Sequence, residues 1–311
     1  YCADLDNDGD LDFAVALPGN HEYAWYENTL LTGNEVRLLP KTGQKSSYAV
    51  ADDGEYQKGV AHNFRRIGAI DIVIDESTGM MWQDDNDTQD KTLTWPEAMN
   101  YCENLQLGGF HDWRLPEIKP LYYLADKESA TTLDTTYFQH TANTDYWSSD
   151  INRTTLFTLY VDFGAATIQK IKFFAASAKK NIRCVRGGKE TFHLARDNTN
   201  DTVTDTRHRL VWDDSVDANI TTADWQGALD HCENAGWRLP NIHELYSIVD
   251  PAKLSPAFES SFVYTANKKY WSSTTDNQGR RYVIDFDDTG LVENENDSTQ
   301  VYNVRCVKDL P

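Results

Sequence analysis

Apolar residues fall at two spacings along this chain, in an order that occurs twice. Ala98, Tyr101, Cys102 and Leu105 lie three or four residues apart, the period of one helix face, and Ile118, Leu121 and Leu124 make a second such stripe. Leu156–Phe163 instead alternates apolar and polar positions, which predicts a strand. The succession returns downstream as Ala228, Leu229 and Cys232, then Ile242, Leu245, Ile248 and Val249, then an alternating Tyr282–Phe286. Boundary signals agree. Thr94-Trp-Pro-Glu97 has the form of a capping box with proline in the first turn, Asp224 stands at the equivalent cap, and Asp75 to Trp82 reads as a hairpin turning at Thr78-Gly79. Each copy predicts two short helices followed by a mainly antiparallel set of strands, an α+β order.

The rarer residues duplicate in the same register. Trp82, Trp95, Cys102, Trp113, Trp147 and Cys184 are answered by Trp212, Trp225, Cys232, Trp237, Trp271 and Cys306. Three zones follow: 1–39, a first repeat over 40–187 and a second over 188–311. Cys102 and Cys184 sit at equivalent places to Cys232 and Cys306, which predicts one disulfide per repeat. Such a bond closes a loop long enough to contribute a few kcal/mol. No CxxC or Cys/His spacing competes as a zinc reading. Cys2 has no counterpart and is read as a free or intermolecularly paired thiol. Two structural disulfides place the chain outside the cytoplasm, secreted or on a cell surface.

Charge narrows the class of partner. The chain has 29 basic and 49 acidic residues, a net charge of −20 and a pI near 4.7. That balance disfavours nucleic acid, whose phosphates need a basic footprint. No apolar run approaches the ~20 residues of a membrane span, so no membrane insertion is expected. The chain opens at Tyr1 in mid-motif, and an upstream segment is expected to have been removed.

The first zone carries Asp4, Asp6, Asp8, Asp10 and Asp12 around Gly9, followed by the strand-like Phe13-Ala-Val-Ala-Leu17 and by Ala24-Trp-Tyr-Glu-Asn28. Alternate carboxylates on a tightly turning loop suit calcium, which takes about six to eight oxygens, with Asp10 giving its backbone carbonyl. Val15 stands where an EF-hand has glutamate, so no flanking helices are expected. The plain alternative is a solvated acidic turn. The stretch resembles one FG-GAP/VCBS-type propeller repeat, with the calcium loop at Asp4–Asp12 and its following strand at Trp25–Asn28. A single blade cannot bury both its faces, so it must dock on the next domain or another subunit, or belong to a longer propeller.

The two repeats resemble the Lcl C-terminal domain family, the C-terminal module of a Legionella collagen-like adhesin. The residues that carry the resemblance are the Thr78-Gly79…Trp82 opening, Trp95 to Cys102, Asp112-Trp-Arg-Leu-Pro116, Tyr146-Trp-Ser-Ser149 and Val304-Arg-Cys-Val307, with Trp237-Arg-Leu-Pro240 and Tyr270-Trp-Ser-Ser273 as their partners. The second copy departs at Arg207-His-Arg209 and lacks the Gly108–Asp112 insertion. The resemblance covers roughly residues 40–308. It implies two tandem C-type-lectin-like domains, a bacterial surface location, adhesion, and affinity for polyanionic glycans.

Candidate chemistry is sparse. The paired tryptophans are read as core, and Arg114, Arg238, Arg183 and Arg305 as locks on nearby carboxylates or carbonyls. The calcium-site triplets of sugar-binding lectins (Glu-Pro-Asn, Gln-Pro-Asp, Trp-Asn-Asp) do not occur. Asp84, Asp85, Asp87 and Asp90 form a second acidic cluster, a solvated loop by default and a calcium site as the alternative. His62, His111 and His243 show no metal-ligand spacing, and no nucleophile motif occurs, so the chain is not expected to be an enzyme. The copies differ most in charge. Lys170, Lys172, Lys179, Lys180, Arg183, Arg186 and Lys189 face a counterpart stretch with Asp287, Asp288, Glu293, Glu295 and Asp297. The basic segment is expected to hold a surface glycan or other polyanion. Alternatively it meets the acidic segment, in the same chain or in a copy of itself, the latter building a head-to-tail filament.

Overall fold

The computed structural model describes residues 37–129, 132–173, 177–189 and 191–311, together with the backbone of three N-terminal strands. Those strands, β1 (Cys2–Ala3), β2 (Asp12–Ala16) and β3 (Tyr23–Tyr26), pair antiparallel in a sheet of their own. The first half then runs α1 (Asp53–Tyr56), β4 (Phe64–Ile67), β5 (Ile72–Asp75), β6 (Met80–Gln83), α2 (Asn86–Asp90), β7 (Thr92–Leu93) and α3 (Trp95–Glu103). It continues through α4 (Ile118–Tyr123), β8 (Asp145–Asn152), β9 (Phe157–Asp162), β10 (Thr167–Lys172), β11 (Lys180–Asn181) and β12 (Val185–Arg186). The second half repeats this from β13 (Leu194–Asp197), β14 (Thr202–Asp205), β15 (Leu210–Asp213), α5 (Val216–Ile220), β16 (Thr222–Ala223) and α6 (Trp225–Asn234). It closes with α7 (Ile242–Ser247), β17 (Lys269–Thr275), β18 (Arg281–Asp285), β19 (Leu291–Glu295), β20 (Tyr302–Asn303) and β21 (Val307–Asp309). The chain is α+β and mostly β.

Local chemistry explains the starts of the main helices. Glu97 accepts from the Thr94 backbone N–H at 2.9 Å and from its hydroxyl at 2.8 Å, fixing the first turn of α3. Asp224 accepts from Gly227 N at 2.8 Å and does the same for α6. Each half also has a one-turn helix and a leading strand that the apolar pattern did not reveal. The β5–β6 hairpin turns where predicted, with Gly79 at φ 69°. Its counterpart Arg209 adopts φ 55° without being glycine. Its guanidinium donates to the carbonyl of Leu310 at 3.2 Å, a contact that helps hold a left-handed residue in place.

The halves share one sheet. Its ten strands run β16-β20-β17-β18-β19-β10-β9-β8-β11-β7, five from each half. The join is a single antiparallel contact, Ile168 of β10 opposite Val292 of β19. These residues hold the same place in their copies. Each follows the residue that pairs with a closing aspartate, Thr167 with Asp162 and Leu291 with Asp285. An antiparallel pair between equivalent residues is the contact a two-fold axis makes. The seam therefore repeats inside one chain what an isologous dimer makes between two. Helices α4 and α7 meet on the same axis, with the buried rings of Tyr122 and Tyr246 5.5 Å apart. One apolar cluster spans the seam, including Leu121, Val161 and Ile168 from one side and Leu245, Ile284 and Val292 from the other. Each half keeps an outer cluster around its own disulfide, Cys102–Cys184 or Cys232–Cys306, bonded as predicted.

The zone 40–187 divides in the fold. Residues 37–60 form a strap that lies across the second half, while the rest builds the first. The strap closes on itself where Pro40 bridges Val60. It is held by His243 Nδ1 donating to Pro40 O (2.9 Å), Asn241 Nδ2 to Lys58 O (3.3 Å) and Thr275 N to the Gln44 side chain (2.7 Å).

Candidate functional site

The deepest polar groups of both halves form one construction made twice. Arg183 and Asp84 are fully buried, and the guanidinium donates to Asp84 (3.1 Å), Gln83 O (2.6 Å) and His140 O (2.9 Å). Asp84 also accepts from the backbone N–H groups of Gln139 (3.0 Å) and His140 (3.2 Å), with Arg66 Nε 3.0 Å away. In the second half Arg305 donates to Asp214 (3.1 Å), Asp213 O (2.6 Å) and Tyr264 O. Asp214 in turn accepts from Val263 N (2.9 Å) and Tyr264 N (3.2 Å) and pairs with Arg196. A charge this deep persists only when paired and hydrogen-bonded. These nodes tie the hairpin, the long loop before β8 or β17, and the disulfide-bearing closing segment together. Arg66 and Arg196 were missed in the sequence, although their 130-residue offset matches that of Asp84 and Asp214.

Arg114 and Arg238 lock the turns before α4 and α7 as expected. Arg114 pairs with Glu117 at 3.0 Å, and Arg238 pairs with Glu244 at 2.6 Å and Asp309 at 2.7 Å. Trp82, Trp113, Trp147, Trp212, Trp225 and Trp271 are buried, whereas Trp95 and Trp237 are partly exposed. Within the acidic cluster, Asp84 is the buried node, Asp85 accepts from the Gln83 side chain (2.8 Å) and Asp87 pairs with Lys91 (3.0 Å). Among the described residues no three acidic, His or Cys side chains converge as metal ligands. Asp4, Asp6, Asp8 and Asp10 lie outside the described residues, and so does the side chain of Asp12.

The basic segment separates into paired and open members. Lys170 meets Asp288 across the seam, Lys180 pairs with Asp145 at 2.6 Å, and Arg186 pairs with Asp112 at 2.9 Å while stacking 3.9 Å from the Phe110 ring. Lys189 is exposed, 3.9 Å from Glu117. Lys172 and Lys179 are exposed with no ion pair among the described residues, and so is Arg153, which sequence reasoning passed over. Arg153 and Lys172 share one end of the sheet, whereas Lys179 precedes β11, which pairs beside the start of β8 at Tyr146. Lys172 lies opposite Phe157, just beyond the turn that holds Arg153, and the next residue, Phe173, sets its ring 5.5 Å from half-buried Trp95. Lys179 acts electrostatically on Glu97 at the start of α3. The place of Lys179 in the second half is held by Val301, so that cation belongs to one copy.

The strap carries a titratable contact. Asp53 is buried and accepts from the hydroxyls of Thr42 (2.5 Å) and Thr274 (2.8 Å). Burial pushes its carboxyl up to about 7, partly offset by those two hydroxyls. The folded chain therefore keeps a proton on Asp53 that the unfolded chain releases near pH 4. Its contribution favours the fold at low pH and is lost as pH rises toward 7. Relative to an Asp53→Asn variant, the wild type should lose roughly 2–4 kcal/mol between pH 4 and pH 8 in urea titrations. A pH-independent difference would show that Asp53 is ionised throughout.

The fold is mostly β, and each half is closed by a disulfide beside its buried Arg–Asp node. The Lcl C-terminal domain family is matched by residues 71–186 and again by residues 201–308. The chain belongs to that family, which indicates an adhesin-like surface protein. The two disulfides fit an extracellular location. No helix among the described residues is long and apolar enough to cross a membrane. No curated protein matches the chain.

Proposed function

We propose that this chain is an extracellular, non-catalytic adhesion module of a bacterial surface, with two C-type-lectin-like halves, that recognises anionic glycans. One observation carries the reading. On a chain of net charge −20, Arg153 and Lys172 stand open and without an ion pair among the described residues at the end of the sheet where Phe173 packs on the partly exposed Trp95, and Lys179 stands open near Glu97. Open cations attract a polyanion, and a partly exposed indole offers apolar surface to a sugar ring. Calcium is proposed at Asp4, Asp6, Asp8, Asp10 and Asp12. The alternative, a subunit of a head-to-tail surface assembly, draws less support because Lys170 already meets Asp288 within the chain.

The test is binding to an immobilised sulfated polysaccharide, with neutral dextran as control. Wild type should bind the sulfated polymer only. The Lys172→Glu/Lys179→Glu variant should lose about tenfold or more in affinity, some 1.4 kcal/mol. An unchanged affinity would remove these residues from the account.

A further inference from the structure

The strap and the first half face each other across a cleft. Lys127 N donates to Thr42 O at 2.8 Å, and Glu128 accepts from the backbone N–H groups of Lys45 and Ser46, which pins one rim. Gly43 allows the close approach: it sits at φ 92°, and a Cβ there would run into the Asp126 carboxylate. Beside that contact lies a cavity of about 330 Å³, in the range of small-ligand sites.

Its lining is divided by charge. The strap supplies Lys41 and Lys45, whereas the first half supplies Asp126, Asp134, Phe64 and Tyr137. The Lys41 ammonium has no ion pair or hydrogen bond among the described residues, while Lys45 is exposed and also drawn to Glu128. Asp126 accepts from Glu128 N at 2.9 Å and Ser129 N at 3.0 Å, and Asp134 from Thr136 N at 2.9 Å. All three bonds use Oδ1, so each carboxylate keeps one oxygen without a hydrogen bond among the described residues. His62 also lines the cleft but is engaged, held between Asp75 and Tyr123 O and stacked on Phe64. Phe64 and Tyr137 are partly exposed, with their rings 5.8 Å apart. The repeated plan does not require this aromatic pair. Its second-half counterparts are Leu194 and Ser261, which keep the contact through the Ser261 hydroxyl donating to Leu194 O at 3.5 Å.

An occupant that uses both walls is dipolar, with its anionic end at the strap and its cationic end at the rings and carboxylates. We propose that this cleft binds a phosphorylated amino alcohol, the zwitterionic group of phosphocholine and phosphoethanolamine. Its phosphate oxygens are strong acceptors for the Lys41 and Lys45 ammonium groups. Its amino end meets the remaining oxygens of Asp126 and Asp134 and the partly exposed Tyr137 and Phe64, surroundings that favour an alkylammonium. A plain anion would satisfy the strap wall and be repelled by the other. The site shares no residue with the open cations proposed to hold the glycan, so either reading can fail alone.

The test is a chemical-shift titration of the isotope-labelled chain with phosphocholine and phosphoethanolamine, with inorganic phosphate and choline chloride as separate controls. Both zwitterions should bind saturably, in the millimolar range or tighter, and each control at least tenfold more weakly. Lys41→Gln and Asp134→Asn alter one wall each, and the asparagine keeps an acceptor for Thr136 N. Each should weaken binding about tenfold at an unchanged melting temperature. No saturable binding, a control that binds as tightly as the zwitterions, or full affinity in either variant would overturn the proposal. Cosedimentation with phosphatidylcholine vesicles separates the sources. Vesicle binding that free phosphocholine displaces assigns a lipid headgroup, and binding of the soluble compounds alone assigns the group to a glycan or other soluble carrier.

Discussion

Replacing Arg183 by leucine should destabilise the folded chain by about 3–5 kcal/mol, because it leaves Asp84 buried with half of its cationic partners. Arg66 stays within 3.0 Å, and the N–H groups of Gln139 and His140 still donate, so the carboxylate is not abandoned altogether. The carbonyls of Gln83 and His140 also lose their donor, and buried acceptors without partners add to the cost. Asp84→Asn on the leucine background should recover part of the loss by removing the uncompensated charge. Arg305→Leu should behave alike, since Asp214, Arg196 and two backbone donors repeat the arrangement. Urea denaturation checks this. A single variant within about 1 kcal/mol of wild type would mean that the node contributes little to stability.

The disulfides set the second large effect. Cys102–Cys184 joins residues 82 apart and Cys232–Cys306 residues 74 apart, each tying an α3-type helix to the closing segment beside the node. Loops of this length constrain the unfolded chain strongly, so loss of either bond should cost about 2–5 kcal/mol. All four sulfurs lie in outer cores that hold only one half each. Cys102→Ala/Cys184→Ala should therefore loosen the first half before the shared seam core. Hydrogen exchange should then rise first around α3 and Trp147. Complete reduction with an unchanged melting curve would contradict this.

Much of the architecture was legible because the chain states it twice. Tryptophan and cysteine are scarce, so their recurrence gave the duplication and the disulfide pairing, and capping signals placed α3 and α6. The strap was not legible. Its partners, Asn241, His243 and Thr274, lie some two hundred residues away, and nothing local marks Asp53 as a group that will be buried. The seam was equally hidden, because one Ile168–Val292 contact decides it and a β10-type strand looks the same free or paired. Charge counting singled out Lys170 to Lys189 as one segment. The fold splits it, since strand geometry carries Lys170 and Lys180 to carboxylates and leaves Lys172 and Lys179 open. Arg153 escaped notice because it lies outside that run and approaches Lys172 only through the β8–β9 turn.

The most direct test of the functional account is the salt dependence of binding to the sulfated polysaccharide, for wild type and for Lys172→Glu/Lys179→Glu. Three open cations meeting a polyanion should give a log–log slope of roughly −2 to −3 in wild type, with a much shallower slope in the variant. Binding that is salt-insensitive, or equally steep in both proteins, would contradict the assignment of these open cations to recognition.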